Sequence, residues 1–327
     1  MTTRTLNWGL LSTARINRAL ITPLRASERN RLLAVASRTK PAAEEYARQW
    51  EIPRAHESYE ALLADPDIDV IYNSLPNHLH AEWSIKAMQA GKHVLCEKPI
   101  ALTLPEIDEM NSVSRETGMV LAEAFMYRHH PQTLKVLEMV ASGVLGQIKI
   151  LRGAFSFTFN REDNYRNDAS RGGGSLWDVG CYPVSFARTI AGAAPVEVFG
   201  QQTTGRKNID ETFVGQIKFQ NGVYAHFDSS FTIPFQYFME IAGTEGILFI
   251  PEAFKPGLNT QISLTREGKT EIIDVAGREL YIGEVEDMAD AVLEGKPTRI
   301  SLEDSRANTA TLLGLYKSAR TGRPVIL

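Results

Sequence analysis

Five short segments of the 327-residue chain carry side chains able to do chemistry. Ser12-Thr13-Ala14-Arg15-Ile16 follows an apolar run and offers small residues, a hydroxyl and a helix start. That suits close approach of a pyrophosphate, although an ordinary tight turn would look the same. Ser37-Arg38 stands where an NAD-binding chain places a carboxylate for the ribose 2′-hydroxyl. A guanidinium there pairs with a 2′-phosphate instead, so NADP is preferred to NAD; a solvated surface Arg is the alternative. Leu75-Pro76-Asn77-His78-Leu79-His80 and Glu97-Lys98-Pro99 each close a further apolar run. The fifth segment runs from Gly172-Gly173-Gly174-Ser175 through Trp177, Asp178, Gly180 and Cys181 to Tyr182-Pro183. It reads as a glycine loop with Ser175 starting a helix. Asp178 and Tyr182, four residues apart, then share one helix face. A phenol with an ordinary pKa of about 10 needs a nearby cation to act as a base near neutrality. A buried Tyr–Asp hydrogen bond that only holds the helix is the other reading.

These segments need elements to position them. Apolar runs at 6–11, 32–36, 70–74, 93–96 and 120–124 read as strands. Helical segments are expected at 15–26, 41–50, 78–90 and 105–117, with a short one headed by Ser58. Such alternation predicts an α/β Rossmann domain over residues 1–124, a doubly wound parallel sheet covered on both faces. Ligands of such sheets bind at the carboxyl ends of the strands, where all the early segments fall. After Ala124 the pattern changes. A helix at 131–142 precedes about six alternating strands between 148 and 250, including a hairpin at Gln220-Asn221-Gly222. The expectation for residues 125–327 is an α+β domain with a large, mainly antiparallel open sheet. Pro183 is expected to kink the helix bearing Tyr182, because it removes the hydrogen bond to residue 179.

Composition excludes several classes. Apolar residues make up 43% and charged ones 23%, with 24 Gly and 15 Pro, which suits a globular chain of about two domains. The net charge of −4 carries no basic block, arguing against nucleic acid or a membrane surface as partner. No apolar run is long enough to span a bilayer, and residues 1–8 show no signal-peptide pattern. Two cysteines, Cys96 and Cys181, form no disulfide framework, so a reducing cytoplasmic location is expected. His78-x-His80 and His129-His130 lack metal-site spacing and carboxylate company, so no metal is expected.

Taken in order and spacing, Pro76-Asn77-x-x-His80, Glu97-Lys98-Pro99 and Gly172 through Tyr182 resemble the glucose-fructose oxidoreductase / inositol dehydrogenase / MocA (Gfo/Idh/MocA) family over essentially the whole chain. Within it the chain is most similar to the NADP-dependent dihydrodiol dehydrogenases, D-xylose dehydrogenases and sugar ketoreductases. The resemblance implies that Leu75, Pro76, Asn77 and His80 lie along the nicotinamide side of the cofactor and Glu97-Lys98 beside the reacting carbon. It further implies that Lys98 is the cation that lets Tyr182 act, with Asp178 aimed at the substrate hydroxyl. A Lys desolvated against a cofactor has its pKa lowered. The family has glycines where this chain has Ser12 and Ala14. Positive φ would be costly for Ser or Ala, so ordinary backbone angles are expected at both.

Arg128, Arg166 in the polar stretch 160–167, and Trp177 are weaker candidates for substrate contacts; a solvated loop and core packing explain them equally. The expected activity is NADP(H)-dependent hydride transfer at a CH–OH carbon of a sugar or cyclic diol. Rivals are a redox-neutral lyase or glycosidase that recycles a bound dinucleotide, and a non-catalytic NADP-binding regulator. Aromatic residues on both faces of the later strands, Phe238 opposite Tyr237 and Met239 among them, point to a sheet covered by a second subunit. A homodimer or higher oligomer is expected.

Overall fold

The computed structural model describes residues 4–161, 163–205 and 207–327. It contains two compact units, Met1–Met126 with Tyr281–Arg306, and Tyr127–Leu280 with Ala307–Leu327. In the first, strands and helices alternate: β1 (Leu6–Leu11), α1 (Asn17–Ala26), β2 (Asn30–Ala36), α2 (Lys40–Gln49), β3 (Arg54–His56), α3 (Tyr59–Leu63), β4 (Val70–Asn73), α4 (His80–Gln89), β5 (His93–Glu97), α5 (Leu104–Thr117) and β6 (Leu121–Ala124). The strands form one parallel sheet in the order β3-β2-β1-β4-β5-β6. The central strands β1 and β4 are largely apolar because both faces are covered. Leu11, Ile71 and Val94 join Leu62, Ile107 and Met110 on one face, while Leu10, Tyr72 and Leu95 join Leu20 and Leu24 on the other. The sheet grows outward in two directions from β1 and β4, which leaves a crevice at their carboxyl ends.

Local chemistry sets the helix ends. Ser58 caps α3 by accepting from the Ala61 amide. Thr103 and Glu106 form a reciprocal capping box on α5, and Gly118 ends it at φ +70°. Pro23 lies inside α1, and the helix continues past it for one turn. The helix expected from residue 78 begins at His80, because Asn77–Leu79 form a tighter 3₁₀ turn first.

The second unit contains α6 (Pro131–Ala141), β7 (Ile148–Ser156), α7 (Cys181–Ala191), β8 (Pro195–Thr204), β9 (Asp210–Phe219), β10 (Tyr224–Ser230), β11 (Gln236–Gly243), β12 (Ile247–Ile250), β13 (Asn259–Arg266) and β14 (Lys269–Ala276). With β15 (Val325–Ile326) they build a nine-stranded sheet, β14-β13-β12-β11-β7-β10-β9-β8-β15, in which only β7 and β10 run parallel. The sheet is wider than the sequence reading of about six strands. The hairpin at 220–222 is present, with Gly222 at φ +83° and Phe219 N–H donating to Val223 at 2.9 Å. One face buries Phe155, Phe213, Phe227, Ile241 and Leu248, while Val214, Tyr224, Ile247, Phe249 and Ile272 are exposed.

Two helices follow, α8 (Ile282–Glu294) and α9 (Leu302–Thr321). The sequence boundary near 124 leaves 281–306 with the later half of the chain, whereas these residues belong to the first unit. Val285, Met288 and Ala289 are fully buried beside Leu20 and Leu24 of α1. Burying side chains of the size of Val or Met is worth about 1.5–3 kcal/mol each. Arg29 fixes the helix register by pairing with Glu286, Asp290 and Glu294, one acid per turn, at 2.5, 2.7 and 2.8 Å.

Candidate active site

At the end of β1 the chain turns through Ser12 with φ +138°, contrary to the ordinary angle expected; Ala14 keeps a negative φ. The Ser12 hydroxyl lies 3.0 Å from that of Ser74 and accepts from the Ala14 amide at 3.1 Å. Its carbonyl accepts from Asn17 Nδ2 at 2.7 Å. These bonds hold a conformation that glycine adopts more readily, at a backbone cost of about 1–3 kcal/mol. Ser12→Ala keeps the strain and loses the hydroxyl, so a stability loss of about 1–2 kcal/mol is expected. Ser12→Gly removes both and is expected near neutral. Urea denaturation of the three proteins checks that order.

Ser37, nearly buried, and exposed Arg38 lie just beyond β2. The Ser37 amide donates to the His56 carbonyl of β3 at 3.4 Å. Burial raises the Tyr59 phenol at the start of α3, an effect the Arg38 cation offsets only in part. No acidic residue lies in the first turn of α1 or α2. Small side chains at 12 and 14, helix starts free of acid and a guanidinium at the end of β2 fit a dinucleotide bearing a 2′-phosphate. Thr13, Arg15 and Ile16 lie between the turn at Ser12 and the first residue of α1.

Leu75 and Asn77 are buried and Pro76 is half-buried at the end of β4. His80 behaves otherwise than expected of a cofactor contact. Its ring is fully buried, with Nδ1 2.8 Å from the Pro99 carbonyl and Nε2 2.7 Å from that of Leu75. Each nitrogen faces a backbone carbonyl, and the neutral ring donates its one N–H to one of them, so His80 braces the end of β4 against the segment after β5 with both ring nitrogens turned to backbone. Burial lowers its pKa to about 4, so the ring is neutral near pH 7. Glu97 accepts from the Tyr72 hydroxyl at 2.5 Å. Lys98, half-exposed, follows, joined to Pro99 by a cis peptide.

In the second unit, Gly172 and Gly174 take φ +76° and +117°, and a Cβ on Gly173 would lie 2.5 Å from the Arg166 carbonyl. A wide π-helical turn, Leu176–Gly180, runs directly into α7, and Pro183 lies in the first turn of α7. Pro183 has no N–H for a fourth-residue bond to Val179, and π turns recur at functional sites. Asp178 is buried and its Oδ2 accepts from Arg166 Nε at 2.7 Å. Tyr182 is buried too, its ring 5.2–5.8 Å from those of Phe155, Phe254 and Tyr127. Arg128 Nη1 donates to the Ser185 hydroxyl at 3.3 Å, one turn beyond Tyr182. Trp177 is packed against Tyr316 at 5.4 Å, which accounts for it as core. Of the polar stretch 160–167, Glu162 lies outside the described residues.

Ser175 does not cap the helix with its own side chain. Asp210, which no sequence pattern singled out, does so instead. Its Oδ2 accepts from the Leu176 amide at 2.7 Å and the Ser175 hydroxyl at 2.9 Å, while Oδ1 accepts from Tyr316 at 2.7 Å. Cys96 and Cys181 are buried free thiols, and burial pushes that of Cys96 far up, so neither resembles a reactive nucleophile. Among the described residues, no group of three or more His, Cys, Asp or Glu could hold a metal ion.

Residues 6–125 match the oxidoreductase family with an NAD-binding Rossmann fold, and residues 133–249 match the Gfo/Idh/MocA C-terminal domain. The chain belongs to the Gfo/Idh/MocA family of oxidoreductases. It is 36% identical to D-xylose 1-dehydrogenase (NADP(+)) 2 of Haloferax volcanii, over 98% of this chain and 99% of that one. Mouse trans-1,2-dihydrobenzene-1,2-diol dehydrogenase is 30% identical over 84% of this chain and 82% of its own. The crystal structure of a 3-ketoreductase from Actinomadura kijaniata with NADP and TDP-benzene superimposes with a TM-score of 0.91, at 28% identity, covering 96% and 98% of the two chains.

Proposed function

We propose that the chain catalyses NADP(H)-dependent hydride transfer at a CH–OH carbon of a sugar or cyclic diol. The observation that carries this reading is the carboxyl edge of the parallel sheet. Its strand ends present, in sheet order, Ser37-Arg38, the Ser12 turn, Asn77 and Lys98. Bound NADP supplies the hydride acceptor at its nicotinamide C4. Ser12 through Ile16 hold the pyrophosphate, Ser37 and Arg38 the 2′-phosphate, and Leu75, Pro76, Asn77 and Glu97 the nicotinamide half. In oxidation, Tyr182 takes the substrate hydroxyl proton and Lys98 supplies the positive charge that stabilises the phenolate. Asp178, itself oriented by Arg166, fixes the substrate or the phenol; Arg128 offers a further donor. Reduction runs these proton steps backwards.

Residues 1–124, completed by 281–306, bind the cofactor on this reading, and the rest of 125–327 provides the substrate groups and the subunit contact. The exposed apolar row Phe249 and Ile272, with Val214, Tyr224 and Ile247 on the same sheet face, is covered by a second copy in a homodimer. The free thiols suit a reducing cytoplasm. Among the described residues, no helix is long and apolar enough to cross a membrane.

The test is a panel of D-xylose, other aldoses, ketosugars and a trans-dihydrodiol, assayed at 340 nm with NADP and NAD in parallel. Net NADPH formation with at least one of them is the expected result. Product without absorbance change, in excess NADP, would move the assignment to a chemistry that regenerates its own dinucleotide.

A further inference from the structure

We propose that Asp210 is a positioning residue for this reaction: its buried carboxylate anchors the first turn of the helix that bears Asp178 and Tyr182. The inference rests on the roles given above to those two residues. A helix start leaves amide N–H groups without intrahelical partners, usually met by a side chain at the cap. Here the cap position, Ser175, has helical angles and turns its hydroxyl to Asp210 and Ser229. The orphan amide of Leu176 is met from β9, across the unit's own sheet, by Asp210. Gly174 makes this possible, since a Cβ there would lie 2.0 Å from Asp210 Oδ1. On the far side Tyr316 of α9 donates to the same carboxylate and packs on Trp177, inside the turn it steadies.

One carboxylate therefore ties strand, helix α9 and turn together, two residues before Asp178. Accepting from an amide and two hydroxyls, it works as an anion; a protonated carboxyl must give one acceptor up. Burial raises its pKa to about 6 in spite of those donors. The titratable groups facing it are Tyr316, held well above its ordinary value by burial and by Asp210, and, against Tyr316, Cys181 of α7. Because the folded carboxyl holds its proton more tightly than the ordinary 3.8, its contribution to stability is present at low pH and is lost as pH rises through about 6. Acidification through this range thus loosens the turn without costing the fold stability through this group.

The Leu176 amide resonance of labelled protein and kcat are followed together between acid and neutral pH. In the unaltered protein both are expected to titrate near pH 6, with kcat falling on the acid side and KM for NADP unchanged. Asp210→Asn is expected to abolish both titrations and lower kcat about 10-fold, less than the ~10²-fold that a full 1 Å misplacement can cost. Tyr316→Phe removes one donor to the anion and is expected to move both midpoints to higher pH; it also serves if the Asn variant does not fold. A Leu176 amide that ignores pH in this range, or an acid limb of kcat that persists in the Asn variant or stays put in the Phe variant, overturns the proposal. The resonance titrates whatever the substrate is. Absence of all NADP-linked turnover would strike the assigned activity and leave the anchor separately decided.

Discussion

Lys98→Met and Tyr182→Phe are each expected to lower turnover at least ~10²-fold while leaving NADP binding nearly unchanged, the usual scale for losing a general acid–base. Both changes are conservative in shape. Met keeps the stem of Lys98 and removes only the charge, and Phe keeps the ring that Phe155, Phe254 and Tyr127 surround. Misfolding is therefore a poor explanation for lost activity, and intact thermal unfolding curves check it. If the phenol depends on the lysine charge, the two act as a unit. The double variant is then expected to be little worse than either single one. Undiminished turnover in either variant would remove that residue from the mechanism.

The second large effect concerns the cofactor. Arg38→Asp replaces a guanidinium by a carboxylate at the end of β2. It removes a charge-assisted pair of about 1.5–3 kcal/mol and adds repulsion against a 2′-phosphate. The expected result is a fall of about 10²-fold in kcat/KM for NADP, at 1.4 kcal/mol per tenfold, with NAD affected little or improved. Arg38 is exposed, so the loss should shrink at high salt. Equal losses with both cofactors would show that Arg38 does not read the 2′-phosphate.

Much of the first unit was legible because its strands are buried on both faces and its helices carry their own end signals. Leu6–Leu11 and Val70–Asn73 could hardly be anything else, and Pro105 stands in the first turn of α5. β3 was not legible. Its residues are half-buried, and Arg54 and His56 are held from the side by Asp65, a contact without local signature. Nor were β13 and β14, where one face is solvent and the pattern Lys269-Thr270-Glu271 reads as loop.

The site divides the same way. Among the proposed residues, Arg38 stood out by type at a strand end and Asp178 with Tyr182 by helical spacing, whereas Lys98 stood out through the family resemblance. Asp210 did not, because its meaning lies in donors contributed by Ser175, Leu176 and Tyr316, brought together only by the sheet. His80 was legible as important, but a sequence cannot say that both its ring nitrogens will face backbone carbonyls. At Ser12 a sound steric rule gave the ordinary angle. Three hydrogen bonds to the serine and its carbonyl outweigh that rule.

The placing of α8 bears on how this chain comes into being. The nascent polypeptide leaves the ribosome with β1 through β6 before α8, yet the core around Leu20 and Leu24 is completed by Val285, Met288 and Ala289. The nucleotide-binding half is thus begun with β1 and sealed only once α8, made after all of β7 to β14, has emerged. Until then an oily strip on α1 stays open to chaperones or to neighbouring chains. Deleting residues 281–306 removes a wall of the cofactor unit, so a fragment ending at Ala124 is expected to aggregate rather than to bind nucleotide.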